Sequence, residues 1–151
     1  MWLSDEDVYA KYADELLRFA ATLAGPSGAE DLLSASVLKA MTSPYWSSVT
    51  SHRAYLYRAV LNEARQVNRA TTRRLAREAR VARSDEFDPS GVRVEVLAAM
   101  SELSLEQRAV VFMTYWLDQS IEEVADSLGL SRRTTERRLR SARTTLRGAL
   151  L

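Results

Sequence analysis

Six arginines and one acidic residue, Glu136, stand among the thirteen residues from Ser131 to Arg143. Guanidinium groups at this density along one helix are typical of phosphate binding, because each brings a permanent positive charge and several hydrogen-bond donors. The arginines are Arg132, Arg133, Arg137, Arg138, Arg140 and Arg143. The alternative is a helical hairpin with a solvated basic face, and the excess of arginine over acid favours nucleic-acid binding instead.

The residues before this stretch predict that it is the second helix of a helix-turn-helix. Ser120 and Glu123 have the spacing of a capping box, which starts a short helix. Gly129 can take the left-handed conformation that ends this helix, and Ser131 can cap the next one. Ala125 is small enough to let the two helices cross closely, as a helix laid in a DNA major groove requires.

Composition narrows the class of protein. The chain has 151 residues, of which 46% are hydrophobic, enough for the core of one domain or two small ones. It contains no cysteine, which excludes a disulfide framework and a thiolate metal site. The N-terminal residues are acidic and interrupted by charge, so they predict neither a signal peptide nor a membrane anchor. We therefore expect a cytoplasmic protein without membrane insertion.

The sequence gives little support to an enzymatic function. The single histidine, His52, excludes a multi-histidine metal site, and the five glycines are too scattered for a phosphate-cradling loop. Glu122 and Glu123 are neighbours on a predicted helix and face different directions, so they do not form an acid–base pair. The sequence predicts a protein that is not an enzyme, with no catalytic residue, no metal and no cofactor.

Charge is segregated along the chain, although the net charge is only +1. Residues 1–34 carry seven acids and two bases, whereas residues 52–83 carry nine arginines and two acids. Residues 84–128 then carry ten acids and two bases, and residues 129–151 carry seven arginines and one acid. Two basic segments, each following an acidic one, predict two separate contacts with a polyanion.

Helix-forming residues dominate and proline and glycine are scarce, so the sequence predicts an all-α protein. Ser4 with Asp7 predicts a capping box for a first helix, which runs to about Ala24 and is broken by Gly25-Pro26. A second capping box, Ser27 with Glu30, predicts a second helix.

That second helix is expected to run through about Met41, followed by a loop over residues 42–50 and a long helix over residues 51–83. Residues 84–92 are acidic and contain a proline and a glycine, which predicts a linker. Two short helices, over residues 92–103 and 104–116, should precede the helix-turn-helix. The expected domains are therefore residues 1–83 and 93–151.

The order of these segments resembles a known family. EDLLSASVLKAM, then RAYLYRAVLNEARQVNR, then MSELSLEQRAVVFMTYWLDQSIEEVADSLGLSRRTTERRLRSARTTL is similar to a sigma factor of the extracytoplasmic-function group of the sigma-70 family. The resemblance implies a region 2-like N-terminal bundle and a region 4-like helix-turn-helix. It further implies a promoter-specificity subunit that binds the clamp and flap of core RNA polymerase and promoter DNA. An anti-sigma factor is a further candidate partner.

The resemblance assigns polymerase binding to the second helix, where the family carries a D-L-(V/I)-Q-(E/D) signature. Ser34 and Ala35 stand here in place of its glutamine and acid. The implied contact residues are Glu30, Asp31, Leu32, Leu33, Leu38 and Lys39. An alternative interpretation of Glu30 and Asp31 is that they only stabilise a solvated helix N-terminus.

The loop and the third helix correspond to the element that opens the DNA strands at the promoter −10 element. Aromatic surface can hold an unstacked base, and Trp46, beside two serines in a loop, is the strongest candidate; core packing is the better interpretation of Tyr55 and Leu56. The implied residues for this element are Tyr45, Trp46, His52, Arg58, Asn62, Arg65 and Arg69.

The arginine-rich helix corresponds to the one that reads the upstream −35 element. Arg132 and Arg133, at its start, are expected mainly on phosphates, and Glu136 replaces the family's usual lysine or arginine, which predicts an altered sequence preference. Thr135 stands at a usual valine position, where its hydroxyl should weaken core packing slightly. The implied residues are Arg132, Arg133, Thr134, Glu136, Arg137, Arg138, Arg140 and Ser141.

Two other functions fit parts of the sequence. A helix-turn-helix transcriptional regulator that is not an initiation factor needs only the C-terminal part. An interaction protein that occupies polymerase without directing initiation would be consistent with the altered Ser34 and Ala35 positions. Transcription with core polymerase separates the three.

Overall fold

The computed structural model describes residues 4–67, 77 and 98–150, with side chains described as far as Gly148 in the last helix. We name residues 4–67 the N-terminal half and residues 98–150 the C-terminal half. Within these ranges every regular element is helical, which confirms the predicted all-α class.

The N-terminal half contains α1 (Asp5–Ala24), α2 (Pro26–Thr42), a short 3₁₀ turn (Trp46–Ser48) and α3 (His52–Gln66). The C-terminal half contains α4 (Leu105–Val111), a π-helical turn that continues it (Phe112–Trp116), α5 (Ile121–Leu128) and α6 (Arg132–Leu150). The predicted helix over residues 104–116 thus has the expected extent, with a π-helical end.

The start of α1 confirms its predicted capping box. The Ser4 hydroxyl accepts from the Asp7 backbone N–H at 3.1 Å, and the Asp7 carboxylate accepts from the Ser4 N–H at 3.4 Å. The helix ends at Ala24, as predicted, because Gly25 has a φ of 84° that other residues rarely adopt.

The predicted capping box of α2 is wrong. The helix begins at Pro26, before Ser27, and Gly25 at its N-cap makes no side-chain cap hydrogen bond. Proline is well suited to the first helical position, since its φ is already helical and it lacks an N–H that would need a partner. The Gly25-Pro26 pair therefore starts α2 as well as ending α1.

The third helix is shorter than predicted within the described residues. Ser51 caps α3 by accepting from the Ala54 N–H at 3.1 Å, and the helix ends at Gln66, where Val67 leaves the helical conformation. Apart from Arg77, which is helical, the rest of the predicted helix to Arg83 lies outside the described residues, as does the predicted linker over residues 84–92.

One continuous core joins the two halves. The Phe19 ring of α1 packs against Tyr57 of α3, at a centroid distance of 4.7 Å, and against Phe112 of the C-terminal half, at 5.2 Å. Buried side chains from α5 and α6, among them Val124 and Leu139, belong to the same cluster. The boundaries of the two predicted domains stay a prediction, and the described halves lie in direct contact.

Candidate nucleic-acid interface

The turn between α5 and α6 has the geometry that the sequence predicts. Gly129 adopts the left-handed conformation, with φ 68° and ψ 34°, and its N–H donates to the Asp126 carbonyl oxygen. The Leu130 N–H donates to the Ala125 carbonyl oxygen at 2.9 Å, which closes the helix end. A side chain with a Cβ would be strained at this φ, so glycine is required here.

The two helices of the helix-turn-helix are held together by small and branched side chains. Ala125 of α5 and Ala142 of α6 are buried, which permits the close crossing expected from the sequence. Thr135 is fully buried, and its hydroxyl donates to the Ser131 carbonyl oxygen at 2.9 Å. The hydroxyl is therefore satisfied, and the expected packing penalty at this position is offset by a local hydrogen bond.

The α6 helix starts as predicted and presents basic side chains to solvent. The Ser131 hydroxyl accepts from the Thr134 N–H at 3.1 Å and donates to the Thr134 hydroxyl at 2.9 Å. Arg133, Arg137 and Arg140 are exposed, whereas Arg138 is half-buried. Exposed guanidinium groups on a capped helix are free to meet a polyanion.

Arg132 and Glu136 differ from the other polar residues of α6 because they bind each other. Arg132 Nε donates to Glu136 Oε1 at 2.9 Å, and Arg132 Nη1 lies 2.6 Å from Glu122 Oε1 on α5. The carboxylates of Glu136 and Glu122 raise the pKa of the Arg132 guanidinium. Ser141, also predicted as a DNA contact, accepts from the Gln107 side-chain amide at 2.9 Å.

A second set of predicted contact residues lies along α3. Arg58, Asn62 and Arg65 are exposed on one face of the helix, at helical spacing. Arg65 Nη1 donates to Asn62 Oδ1 at 2.7 Å. Arg58 and Asn62 border an open groove of about 280 Å³ between α2 and α3. Lys39 and Glu63 meet across this groove at 2.5 Å, so an ion pair bridges it. Arg69, which the sequence also predicted for this set, lies outside the described residues.

The aromatic loop corrects the sequence interpretation of Trp46. Its indole is only 6% exposed, and its Nε1–H donates to Asp5 Oδ1 at 2.9 Å. The ring also packs against His52 and Tyr55, and His52 Nε2 lies 3.1 Å from the Trp46 carbonyl oxygen. Trp46 therefore fixes the loop to α1, and Tyr45, which is 68% exposed, is the aromatic side chain that this loop presents.

The exposed face of α2 includes only part of the predicted polymerase-binding set. Glu30, Asp31, Leu38 and Lys39 are exposed, and Leu38 keeps 66% of its surface accessible. Leu32 and Leu33 are buried in the core at 6% and 4%, so this face does not expose them, and their part in polymerase binding stays a prediction. Their burial orients the helix, because both stand on the side opposite to the exposed acids.

Two polar clusters were missed by the sequence analysis. Glu15 on α1 accepts from Arg53 Nη2 at 2.7 Å and from the Tyr57 hydroxyl at 2.8 Å, tying α1 to α3. Burial and the adjacent Glu15 carboxylate raise the pKa of Tyr57. Arg108 is fully buried, and burial lowers its pKa to about 10. The partners of Glu15 lie 38 or more positions away in the sequence, so no local sequence pattern predicted these contacts.

Two other kinds of site are absent from the described residues. No helix in this part of the chain is long and apolar enough to cross a membrane. The same residues contain no group of three or more histidine, cysteine, aspartate or glutamate side chains placed to hold a metal ion.

The fold and the two basic faces define a class: an all-α DNA-binding protein with a helix-turn-helix. The family model for sigma-70 region 4 matches residues 93–146. An RNA polymerase sigma-E factor of Streptomyces antibioticus is 32% identical over 158 aligned residues, covering 98% of this chain and 85% of that protein. The sigma-E factor of Streptomyces coelicolor is 30% identical, covering 99% and 87%, and that of Streptomyces avermitilis is 30% identical, covering 98% and 86%. The chain belongs to the sigma-70 family, in its extracytoplasmic-function group, and is a promoter-specificity factor for transcription initiation.

Proposed function

We propose that this sigma factor directs initiation through three surfaces: the exposed face of α6, the groove side of α3 with the Tyr45 loop, and the exposed face of α2. The observation that carries the proposal is the capped helix-turn-helix, whose second helix presents exposed arginines within the matched region 4 segment. The predicted boundaries, residues 1–83 and 93–151, are part of the proposal. Like the sigma factors it resembles, the protein works in the cytoplasm and is not an enzyme.

The α6 helix reads the −35 element of the promoter. Arg133, in its first turn, contacts phosphate, where a charge and free backbone N–H groups act together. Arg137 and Arg140 stand one turn later and contact base edges, with Thr134, Arg138 and Ser141 beside them. Glu136 can accept from a cytosine amine if its bond to Arg132 is released.

The α3 face contacts the −10 element. Arg58 and Arg65 neutralise phosphates of the opened strand, and Asn62 offers both a donor and an acceptor to a base edge. Tyr45 provides the accessible ring for an unstacked base, and stacking on such a ring is worth about 1–3 kcal/mol per base. The buried Trp46 and the half-buried His52 support this loop from below.

The α2 face binds the clamp of core polymerase. Asp31 and Leu38 are seven residues apart and therefore share one side of the helix, which combines an acid with an exposed apolar side chain. Glu30 and Lys39 flank them. The C-terminal half contacts the polymerase flap, and an anti-sigma factor is a further partner that would compete for these surfaces.

Transcription in vitro with purified core polymerase and a promoter library tests the function. The chain should produce discrete start sites that share two sequence elements, and core alone should not. A plain helix-turn-helix regulator would bind DNA without start sites, and an interaction protein would bind core without them. Either result would contradict the proposal.

The clamp contact has its own test. Asp31→Arg with Leu38→Ala should abolish capture of core polymerase, because both side chains are exposed and neither supports the core. Asp14→Arg is a matched control, since Asp14 is also an exposed aspartate but belongs to α1. Undiminished capture by the double variant would refute the assignment.

A further inference from the structure

Tyr45 combines a bonded backbone with an exposed side chain. Its N–H donates to the Ser43 hydroxyl at 3.2 Å, and its carbonyl oxygen accepts from the Ser48 N–H at 3.1 Å and from the Ser48 hydroxyl at 3.0 Å. The residue is nevertheless 68% exposed. A residue whose backbone N–H and C=O are both bonded has little freedom to rearrange, so the position of this ring is set before a ligand arrives.

The part of the Tyr45 loop (residues 43–51) that precedes this ring is tied to α3. The Tyr55 hydroxyl donates to Ser43 Oγ at 2.9 Å, so the hydroxyl that binds the Tyr45 N–H is itself held. Ser43 also ends α2, where its N–H donates to the Ala40 carbonyl oxygen. Tyr55 therefore fixes the start of the loop through Ser43.

The part of the loop that follows Tyr45 is tied to α1. Trp46 Nε1–H donates to Asp5 Oδ1 at 2.9 Å, and the Trp46 carbonyl oxygen lies 3.1 Å from His52 Nε2. Because the indole is only 6% exposed, loss of the Asp5 carboxylate would leave a buried N–H without its partner, which is costly. Asp5 also stands in the first turn of α1, where any acid suits the helix dipole, but the bond to Trp46 gives it a specific task.

We propose that Asp5 and Tyr55 are positioning residues for promoter opening, which hold Tyr45 from two helices in the orientation that receives an unstacked base. The inference rests on the proposed function, because it assumes that Tyr45 stacks on a base of the −10 element. A ring that is fixed in advance has no ordering cost when the base leaves the duplex, whereas a loose loop has that cost at this step. The two tethers therefore act on the rate of strand opening and not on the first binding of duplex DNA.

Asp5→Ala tests this role in the complex with core polymerase, on a promoter that carries 2-aminopurine in the −10 element. The rise in fluorescence reports strand opening, and its rate against protein concentration separates the opening step from the binding of duplex DNA. The maximal rate should fall about five- to thirty-fold, the cost of ordering the backbone of one residue. The concentration at half-maximal rate should stay at the wild-type value. Asp5→Asn keeps an acceptor oxygen for Trp46 and should restore most of the rate.

Glu6→Ala is the matched control, because Glu6 is also an exposed acid in the first turn of α1. It should open the promoter at the wild-type rate. In a Trp46→Phe background, which lacks the indole donor, Asp5→Ala should have little further effect. An equal loss from Glu6→Ala, no rescue by Asp5→Asn, or a full further loss in the Trp46→Phe background would assign Asp5 to charge or helix stability and overturn the proposal.

Hydrogen exchange in the free protein tests the tethers without DNA. The backbone amides of Trp46 and Ser48 are bonded within the loop and should exchange faster in Asp5→Ala and in Tyr55→Phe, which lacks only the hydroxyl, than in wild type or the matched control. Both variants should also open the promoter slowly. If both open it at the wild-type rate, whether or not exchange is faster, the inference fails and the proposed function stands. If the wild-type protein with core polymerase does not open the promoter, both fail.

Discussion

Two arginine-bearing faces of this protein have the same chemistry and different surroundings. On α6, Arg133, Arg137 and Arg140 are exposed on a helix whose first turn is capped by Ser131. On α3, Arg58 and Arg65 are bonded to carbonyls and a carboxylate more than forty residues away. The α6 arginines are therefore exposed to solvent, whereas the α3 arginines are bound by the C-terminal half. Both faces carry arginine, and they differ in whether the guanidinium groups are already bound within the chain.

The largest effect is expected from removing the base-reading arginines of α6. Arg137→Ala with Arg140→Ala should reduce binding to the −35 element about a hundred-fold, because each good base contact is worth about 1–3 kcal/mol. Binding and transcription should be compared with Arg147→Ala, which removes an equally exposed charge from the last turn of α6. An equal loss in that control would mean that α6 contributes only general positive charge.

Glu136 offers a finer test of the same face. Glu136→Lys should change which upstream sequence is selected, since it exchanges an acceptor for a donor at a base edge and frees Arg132. Glu122→Lys also removes a partner of Arg132, from α5, and should keep the wild-type preference. A promoter-selection assay with both variants shows whether Glu136 contacts a base. Identical sequence logos from both would assign Glu136 to the surface ion pair alone.

The salt dependence of DNA binding compares the two faces directly. Arg133→Ala should lower the slope of log K against log salt by about one unit in the free protein, because one phosphate contact is lost. Arg58→Ala should leave the slope of the free protein unchanged and lower it only in the complex with core polymerase. A loss of slope from Arg58→Ala in the free protein would show that α3 is already available.

The smallest expected effect is on the pH dependence of the free energy of unfolding. Burial is the largest single influence on the Glu106 carboxyl and raises its pKa. The hydrogen bond from Arg65, a backbone hydrogen bond and the charges of Arg65 and Arg138 together outweigh burial and lower that pKa below the ordinary 4.5. A carboxyl group with a lowered pKa in the folded state adds stability above the ordinary pKa and loses it as pH falls through the lowered value. Glu106→Gln should therefore lower the free energy of unfolding slightly at pH 7. The difference from wild type should shrink as pH falls below 4.5 and vanish below the lowered pKa of Glu106. A difference that is constant with pH in denaturant titrations would exclude the ion pair as its cause.

Local sequence patterns predicted the helix starts well where a side chain makes the cap. Ser120 forms the predicted capping box with Glu123, and Ser104 at the start of the predicted 104–116 helix forms one with Gln107. The same pattern failed at Ser27, because the proline one position earlier already starts the helix. A capping box is a statement about four neighbouring residues, so it is reliable only where no stronger local constraint overlaps it.

Burial was harder to predict than secondary structure. Trp46 stands between polar residues in sequence, yet its indole is enclosed by Asp5, His52 and Tyr55. Leu32 and Leu33 matched a surface motif and are core residues. In both cases the deciding neighbours lie on other helices, and a linear pattern contains no information on which face those helices cover.

The sequence by itself determined the helix-turn-helix, the glycine of its turn and the basic stripe of α6, because each depends on contacts within a few residues. Only the tertiary structure decided that Arg58 and Arg65 are held by the opposite half and that Arg108 is buried between the halves. The bonds of Arg58 join residues 68 and 69 positions apart, and that of Arg108 to Leu23 spans 85. Such contacts arise from how helices pack on a shared core, which depends on the whole chain and not on any one segment of it.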